Sequence, residues 1–166
     1  MSAKKSPRFY LASEESILRG DVTDVYFLRA REVLSRISAS EKLVTADVHS
    51  YGFPEGYGWA VLAGVEEVVK LLEGRKVDVY SMNEGELFRA YEPVMEIRGP
   101  YIDFGVYESA ILGILRHGTS VATKAARIKL HALDKSVIFF GIRCVHPAIT
   151  PFIDRAAFIG GCDGVS

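Results

Sequence analysis

The spacing of apolar residues predicts alternating helices and short strands along the first hundred positions. Ser13 and Gly20 bracket a short helix as cap and stop, and Thr23 is the candidate cap of a second helix. One face of this second helix is an apolar stripe that we expect in a core or an interface, formed by Tyr26, Ala30, Val33, Leu34 and Ile37.

Strict alternation of apolar and polar residues over 44–51 predicts a half-buried strand, and residues 59–72 return to helical spacing before Gly74. Three apolar runs follow and predict further strands, at 77–82, 87–91 and 94–97. We therefore expect a small α+β domain over residues 1–106.

Residues 107–166 have a different pattern, which predicts a second domain built on a parallel sheet. Two helices are expected at 109–115 and 120–133, with a break near Gly118. A strand at 137–141, a helix at 148–159 and a strand from Gly164 then give the βαβ order of a parallel sheet. Because both faces of a parallel sheet need cover, this second domain looks incomplete. The overall fold class is α/β.

Composition narrows the range of partners. With 20 basic and 21 acidic residues, the net charge of −1 offers no excess positive field for nucleic acid. The two cysteines, Cys144 and Cys162, lack the spacing of a metal site or a disulfide framework. No apolar run is long enough to cross a membrane, so the sequence predicts a soluble, cytoplasmic protein.

Short motifs for phosphate loops, dinucleotide binding, hydrolases and zinc proteases are absent. Longer stretches, however, resemble nicotinate phosphoribosyltransferases of the archaeal type, within the type II phosphoribosyltransferases. The resemblance covers about residues 21–166 and depends on DVYF, VDVYSMNEG, PVMEIRGPYIDFGVYESAILGIL, SVATKAARI and FGIRCVHPAITPFIDRAAFIGGCDGVS.

The resemblance implies an enzyme of NAD salvage, which joins nicotinate to phosphoribosyl pyrophosphate and releases nicotinate mononucleotide and pyrophosphate. It also implies Mg²⁺ bound with the pyrophosphate, ATP as a co-substrate, and a small α/β domain followed by an irregular α/β barrel, of which residues 107–166 would be the incomplete start. Members of the family are dimers whose sites are shared between subunits.

Four substrate-binding residues follow from the family's motifs. The D-x-Y motif places the ring-binding tyrosine at Tyr26, which would reach the site of the neighbouring subunit. The F-G-x-R strand contains Phe140 and Arg143, and the G-G-x-D turn contains Asp163. Tyr26 and Phe140 could hold a pyridine ring between them, and Arg143 could hold a carboxylate or a phosphate. Asp163 could fix Arg143 or the substrate ring.

Each of these residues also has a simpler interpretation. The two aromatic residues suit a core, Arg143 suits a surface, and Asp163 suits an ordinary turn. We assign no catalytic residue and no metal ligand, and we expect His146 to cap or pack at a helix entrance.

The family's phosphate loops, metal carboxylates and phosphorylated histidine lie beyond its G-G-x-D strand. We therefore expect the chain to be a fragment or to be completed by a second polypeptide, and to show no turnover alone. Three functions stay open: a nicotinate phosphoribosyltransferase, a relative that uses nicotinamide or quinolinate, and a truncated, non-catalytic binding or assembly module.

Overall fold

The computed structural model describes residues 8–37 and 41–165. The helices are α1 Glu14–Leu18, α2 Val25–Leu34, α3 Val65–Leu72, α4 Tyr101–Phe104, α5 Glu108–Ala132 and α6 Thr150–Ile159. The strands are β1 Leu43–Val48, β2 Ala60–Val61, β3 Asp78–Ser81, β4 Leu87–Phe88, β5 Met95–Pro100, β6 Ile138–Phe139 and β7 Gly164–Val165. Short 3₁₀ turns lie at Gly105–Tyr107, Gly141–Arg143 and Pro147–Ile149.

The first part of the chain is built on an antiparallel sheet in the order β1-β5-β3. The alternation along β1 is confirmed, because Val44, Ala46 and Val48 are partly buried while the residues between them are exposed. Buried residues of this sheet and of α3 share one core, and α5 packs on α3. The main core includes Leu62, Val68, Leu71, Met95, Ile97, Phe104, Tyr107 and Ile111.

The second part contains the predicted βαβ unit. β6 and β7 pair in parallel, with Ile138 opposite Gly164, and α6 connects them. α6 also packs along α5. The predicted α/β fold class is therefore confirmed. Among the described residues, no helix combines the length and the apolar character that a membrane crossing requires.

The predicted break at Gly118 is wrong, because α5 is one helix of 25 residues. Gly118 is buried against a neighbouring backbone, and a Cβ there would lie 3.0 Å from the carbonyl oxygen of Ala63. The glycine thus allows a close approach of the chain after β2 rather than ending the helix. α5 contributes Ile111 to the main core and Ala122 to a second core with β2 and α6. The domain boundary at residue 106 stays a prediction.

The expected helix at 59–72 is too long at its start. Ala60 and Val61 form a strand with β4, and Gly64, at a φ of +100°, turns the chain into α3. Only glycine adopts that conformation readily. The helical period therefore holds for the second half of this segment alone.

Two expectations about α2 also differ from the structure. Thr23 is not the cap, since α2 begins after Asp24, whose side chain makes no capping bond. Its carboxylate instead accepts a hydrogen bond from the Ser109 hydroxyl at 2.7 Å. The apolar stripe is mostly exposed, and Phe27 is the buried residue of this helix.

Candidate functional site

Phe140 and Arg143 lie at the carboxyl end of β6, where the strand leads into the 3₁₀ turn. The Phe140 side chain is 72% exposed, and Arg143 is exposed with no ion-pair partner among the described residues. A Cβ on Gly141 would lie 2.0 Å from the Phe139 ring, so a larger residue in this tight turn would displace that ring. An aromatic face and a guanidinium are therefore both open to solvent, three positions apart.

The segment that follows this turn is held by local hydrogen bonds. The Cys144 backbone N–H donates to the Gly141 carbonyl at 2.8 Å, and the Ala148 backbone N–H donates to Nδ1 of His146 at 3.2 Å. The His146 ring also packs edge-on against the Phe9 ring, with centroids 5.4 Å apart. His146 therefore caps a helix entrance, as the sequence predicts.

The Asp163 carboxylate is bound by residues other than Arg143. Its carboxylate accepts hydrogen bonds from Lys129 Nζ at 2.6 Å and from the Val137 backbone N–H at 2.7 Å. The hydrogen bond from Lys129 holds the pKa of Asp163 below its ordinary value, and the Val137 N–H adds to the effect. Val137 precedes β6, whereas Arg143 follows it.

In the parallel pair, Asp163 therefore lies beside the start of β6 and Arg143 lies beyond its end. The suggested link between these two residues is not formed. The contacts of Asp163 fit the turn-residue interpretation, and a role toward the substrate ring stays a prediction.

Tyr26 is presented by α2, away from a core position. Its side chain is 56% exposed, and its ring lies 4.1 Å from that of Phe27. Partial burial raises the pKa of Tyr26, and the carboxylates of Asp24 and Glu108 raise it further. No aromatic contact joins Tyr26 to Phe140 in the part of the chain that the structure describes, so one chain does not form the predicted sandwich.

Sequence reasoning missed the residues that hold these elements in place. Lys129 anchors Asp163 from 34 positions away, and Ser109 anchors Asp24 across 85 positions. Glu108 is an acid in the first turn of α5, and burial raises its pKa, with Asp24 adding to the effect. Such long-range polar pairs carry no signal in a single sequence, whereas the acid at the start of α5 does.

The residues present do not form a metal centre within the described ranges. No group of three or more histidine, cysteine, aspartate or glutamate side chains there is arranged to hold an ion. Both cysteines are free thiols, and burial raises the pKa of Cys162. The described part of the chain thus presents an exposed aromatic ring and an exposed guanidinium at the end of β6, and no cluster of three potential metal ligands.

Comparisons with known proteins match this architecture. A family model described as "Quinolinate phosphoribosyl transferase, N-terminal domain" matches residues 24–119. A curated nicotinate phosphoribosyltransferase from Bacillus subtilis is 30% identical over 174 residues, which cover 87% of this chain and 36% of the relative.

Solved structures extend the likeness to nearly the whole chain. The crystal structure of nicotinate-nucleotide pyrophosphorylase from Pyrococcus furiosus is 55% identical, with a TM-score of 0.92 over 97% of this chain and 41% of that one. Human nicotinic acid phosphoribosyltransferase shares the fold, with a TM-score of 0.79 at 21% identity. The chain spans well under half the length of these relatives.

Proposed function

Because the chain belongs to the family of the quinolinate phosphoribosyl transferase N-terminal domain, we propose that it supplies the ring-binding part of a nicotinate phosphoribosyltransferase. The resemblance found in the sequence motifs supports this proposal, as does the name of the curated Bacillus subtilis relative. The reaction would be one step of NAD salvage.

The observation that carries the proposal is the exposed pair Phe140 and Arg143 at the carboxyl end of β6. Nicotinate is a flat aromatic ring with one carboxylate. A ring face such as that of Phe140 stacks on pyridine, and a guanidinium binds a carboxylate through two parallel hydrogen bonds. The carboxyl end of a strand is also where barrel enzymes bind their substrates.

In the proposed reaction, the lone pair of the pyridine nitrogen forms a bond to the anomeric carbon of the ribose. The bond from that carbon to the pyrophosphate oxygen breaks, and pyrophosphate leaves with the electron pair. Phe140 and Arg143 would fix the ring so that its nitrogen faces this carbon, which lowers the entropic part of the barrier. No proton transfer and no covalent intermediate are needed.

Mg²⁺ with the pyrophosphate and ATP as co-substrate are part of the same proposal. When bound, Mg²⁺ would stabilise the charge on the leaving pyrophosphate. The described residues offer no ligand cluster for it, so we assign it no residue and no step in this chain.

Tyr26 would complete the site in a second copy of the chain. Its ring is exposed on α2, as required of a residue that reaches another subunit. A ring held between Tyr26 of one copy and Phe140 of the other would gain about 0.5–1.5 kcal/mol beyond burial from each aromatic contact. The proposed assembly is therefore a homodimer with shared sites.

Quinolinate is the second candidate substrate, because the family model is named for it. Quinolinate carries two carboxylates, whereas Arg143 is the one Lys or Arg residue between β6 and α6. This count favours nicotinate. Nicotinamide has no carboxylate and would gain no ion pair from Arg143. A non-catalytic module would bind the ring without any transfer.

Calorimetric titration with nicotinate, nicotinamide and quinolinate tests the proposal. We expect nicotinate to bind most tightly, and Arg143→Ala to weaken it by about tenfold or more, since hydrogen bonds to charged groups each contribute about 1.5–3 kcal/mol. Arg116→Ala is the matched control, since Arg116 is exposed on α5 and has no ion-pair partner among the described residues. Equal affinity for nicotinate and nicotinamide, or an unchanged Arg143→Ala variant, would contradict the proposal.

A further inference from the structure

Glu84 lies in the connection between β3 and β4, and its carboxylate accepts hydrogen bonds from three donors. Its side chain is 13% exposed, and it accepts hydrogen bonds from the backbone N–H groups of Gly64 at 2.5 Å and Val65 at 2.9 Å. α3 begins at these two residues and has no side-chain cap of its own. Glu84 therefore caps α3 from a distant part of the chain, with a negative charge at the positive end of the helix.

Arg155 on α6 supplies the third donor. Its guanidinium lies 2.6 Å from Glu84 and 2.9 Å from Glu66 in the first turn of α3. Burial alone would raise the pKa of Glu84, but the hydrogen bonds from Arg155 and the two backbone groups outweigh it and lower that pKa. The carboxylate is therefore ionised at neutral pH and pairs with Arg155 as a charge.

α6 in turn contacts the segment that contains the proposed site. It packs against the turn Gly141–Arg143 and begins directly after the turn Pro147–Ile149. The position of α6 on the first part of the chain thus sets where Phe140 and Arg143 lie. Arg155 joins α6 to that first part through ion pairs with Glu84 and Glu66, and the pair with Glu84 is the shorter and spans 71 positions of sequence.

We propose that Glu84 and Arg155 are positioning residues, which hold the Phe140–Arg143 segment against the first part of the chain. They touch no substrate and act through α6. The proposal that this segment binds a pyridine ring is the function given above, and the inference rests on it. Removing the pair would have two effects: the segment would open more often, and its affinity for nicotinate would fall.

Hydrogen exchange measures the first effect without any ligand. The backbone N–H groups of Cys144 and Ile149 donate to Gly141 and His146, so their exchange reports opening of this segment. We expect Arg155→Gln to speed their exchange by about tenfold relative to the amides of α2, because local opening free energies depend on local contacts. Arg155→Lys, which keeps the charge, should restore much of the protection.

Two further variants keep the test decisive. Glu84→Gln retains an acceptor for the start of α3 and removes the charge, so it serves if Arg155→Gln fails to fold. Arg36→Gln removes an exposed ion pair with Glu32 on α2 and is the control. Nicotinate affinity, measured on the same proteins, should fall several-fold in Arg155→Gln and Glu84→Gln and stay unchanged in Arg36→Gln.

The outcomes separate the two proposals. Unchanged exchange at Cys144 and Ile149 in both variants overturns the positioning role, whatever nicotinate does. Faster exchange with no nicotinate binding by the unsubstituted chain supports the positioning role and contradicts the proposed function. Faster exchange with unchanged nicotinate affinity overturns the link between this ion pair and the site.

Discussion

At the scale of single residues, Arg143 and Asp163 illustrate two kinds of charged side chain. Asp163 is committed to Lys129 and to the Val137 backbone, while Arg143 has no ion-pair partner in the described part of the chain. A charged side chain without internal partners at a strand end is available to a ligand. A charged side chain that already accepts hydrogen bonds from two donors, as Asp163 does, mainly stabilises the fold.

The pH dependence of stability should reveal the role of Asp163. Its pKa in the folded chain lies below the ordinary 3.8, so its contribution to the free energy of unfolding is present above 3.8 and is lost as the pH falls through the folded pKa. Asp163→Asn should therefore be less stable than the parent near neutral pH, and the difference should shrink under more acidic conditions.

Urea unfolding at a series of pH values measures this difference. Asp134→Asn is the control, because Asp134 is exposed and has no ion pair among the described residues. A stability difference for Asp163→Asn that stays constant down to the lowest pH would show that its charge does not contribute.

The sequence motifs predict Phe140, Arg143 and Tyr26 as substrate-binding residues. All three side chains are exposed, and the substrate-binding role stays a prediction. Neither Lys129 as the partner of Asp163 nor Arg155 as the partner of Glu84 could be predicted. Each of these pairs depends on how two elements pack, and a single sequence does not record that packing. The hydrogen bond that the Ser109 hydroxyl donates to the Asp24 carboxylate could not be predicted either, for the same reason.

At the scale of elements, α5 organises the chain by packing on both of its parts. Buried contacts with β2 are made by small residues on the inner face of α5, and the Val61 backbone N–H donates to the buried hydroxyl of Thr123 at 2.9 Å. β2 has two residues, so it depends on this helix for its position.

Thr123→Val should destabilise the chain through this contact. Valine has nearly the shape of threonine but leaves the Val61 N–H buried without a partner, which costs about 1–3 kcal/mol. Thr123→Ser keeps the hydroxyl and is the control. Denaturant unfolding measures both, and equal losses for the two variants would argue against the hydrogen bond as the cause.

Gly160 tests how closely α6 approaches α5. A Cβ at Gly160 would lie 2.2 Å from the carbonyl oxygen of Ala122, so Gly160→Ala should cost about 1–3 kcal/mol of unfolding free energy through overpacking. Gly113 lies in α5 with open space around it, and Gly113→Ala should stabilise by about 0.5–1 kcal/mol. Thermal unfolding of both variants gives the comparison, and a neutral Gly160→Ala would refute the close packing.

Element prediction succeeded where the pattern of side chains is set by burial on one face, as in β1. It failed where glycine serves packing rather than chain reversal. Gly118 resembles a helix breaker in sequence, but its lack of a side chain lets the chain after β2 approach α5. Gly64, by contrast, does mark a helix end: its positive φ turns the chain, so α3 begins later than the apolar period suggests.

At the scale of the whole molecule, the proposed site joins two surfaces that do not meet within one chain. Phe140 and Arg143 follow β6, whereas Tyr26 lies on α2 beside the start of α5. The order of strands and helices predicts the α/β class, because a βαβ unit can be recognised from its pattern alone. The proposed pairing of surfaces between two copies comes from the family resemblance and the exposure of all three side chains.

Nicotinate binding by a mixed dimer tests this account most directly. Tyr26→Ala and Arg143→Ala chains, co-expressed with different tags and purified through both, would give one intact site and one doubly altered site in each dimer. We predict that each variant alone binds nicotinate at least about tenfold more weakly than the parent, and that the mixed dimer regains one site of parental affinity. Weak binding by the mixed dimer, or parental affinity in either variant alone, would contradict the shared site.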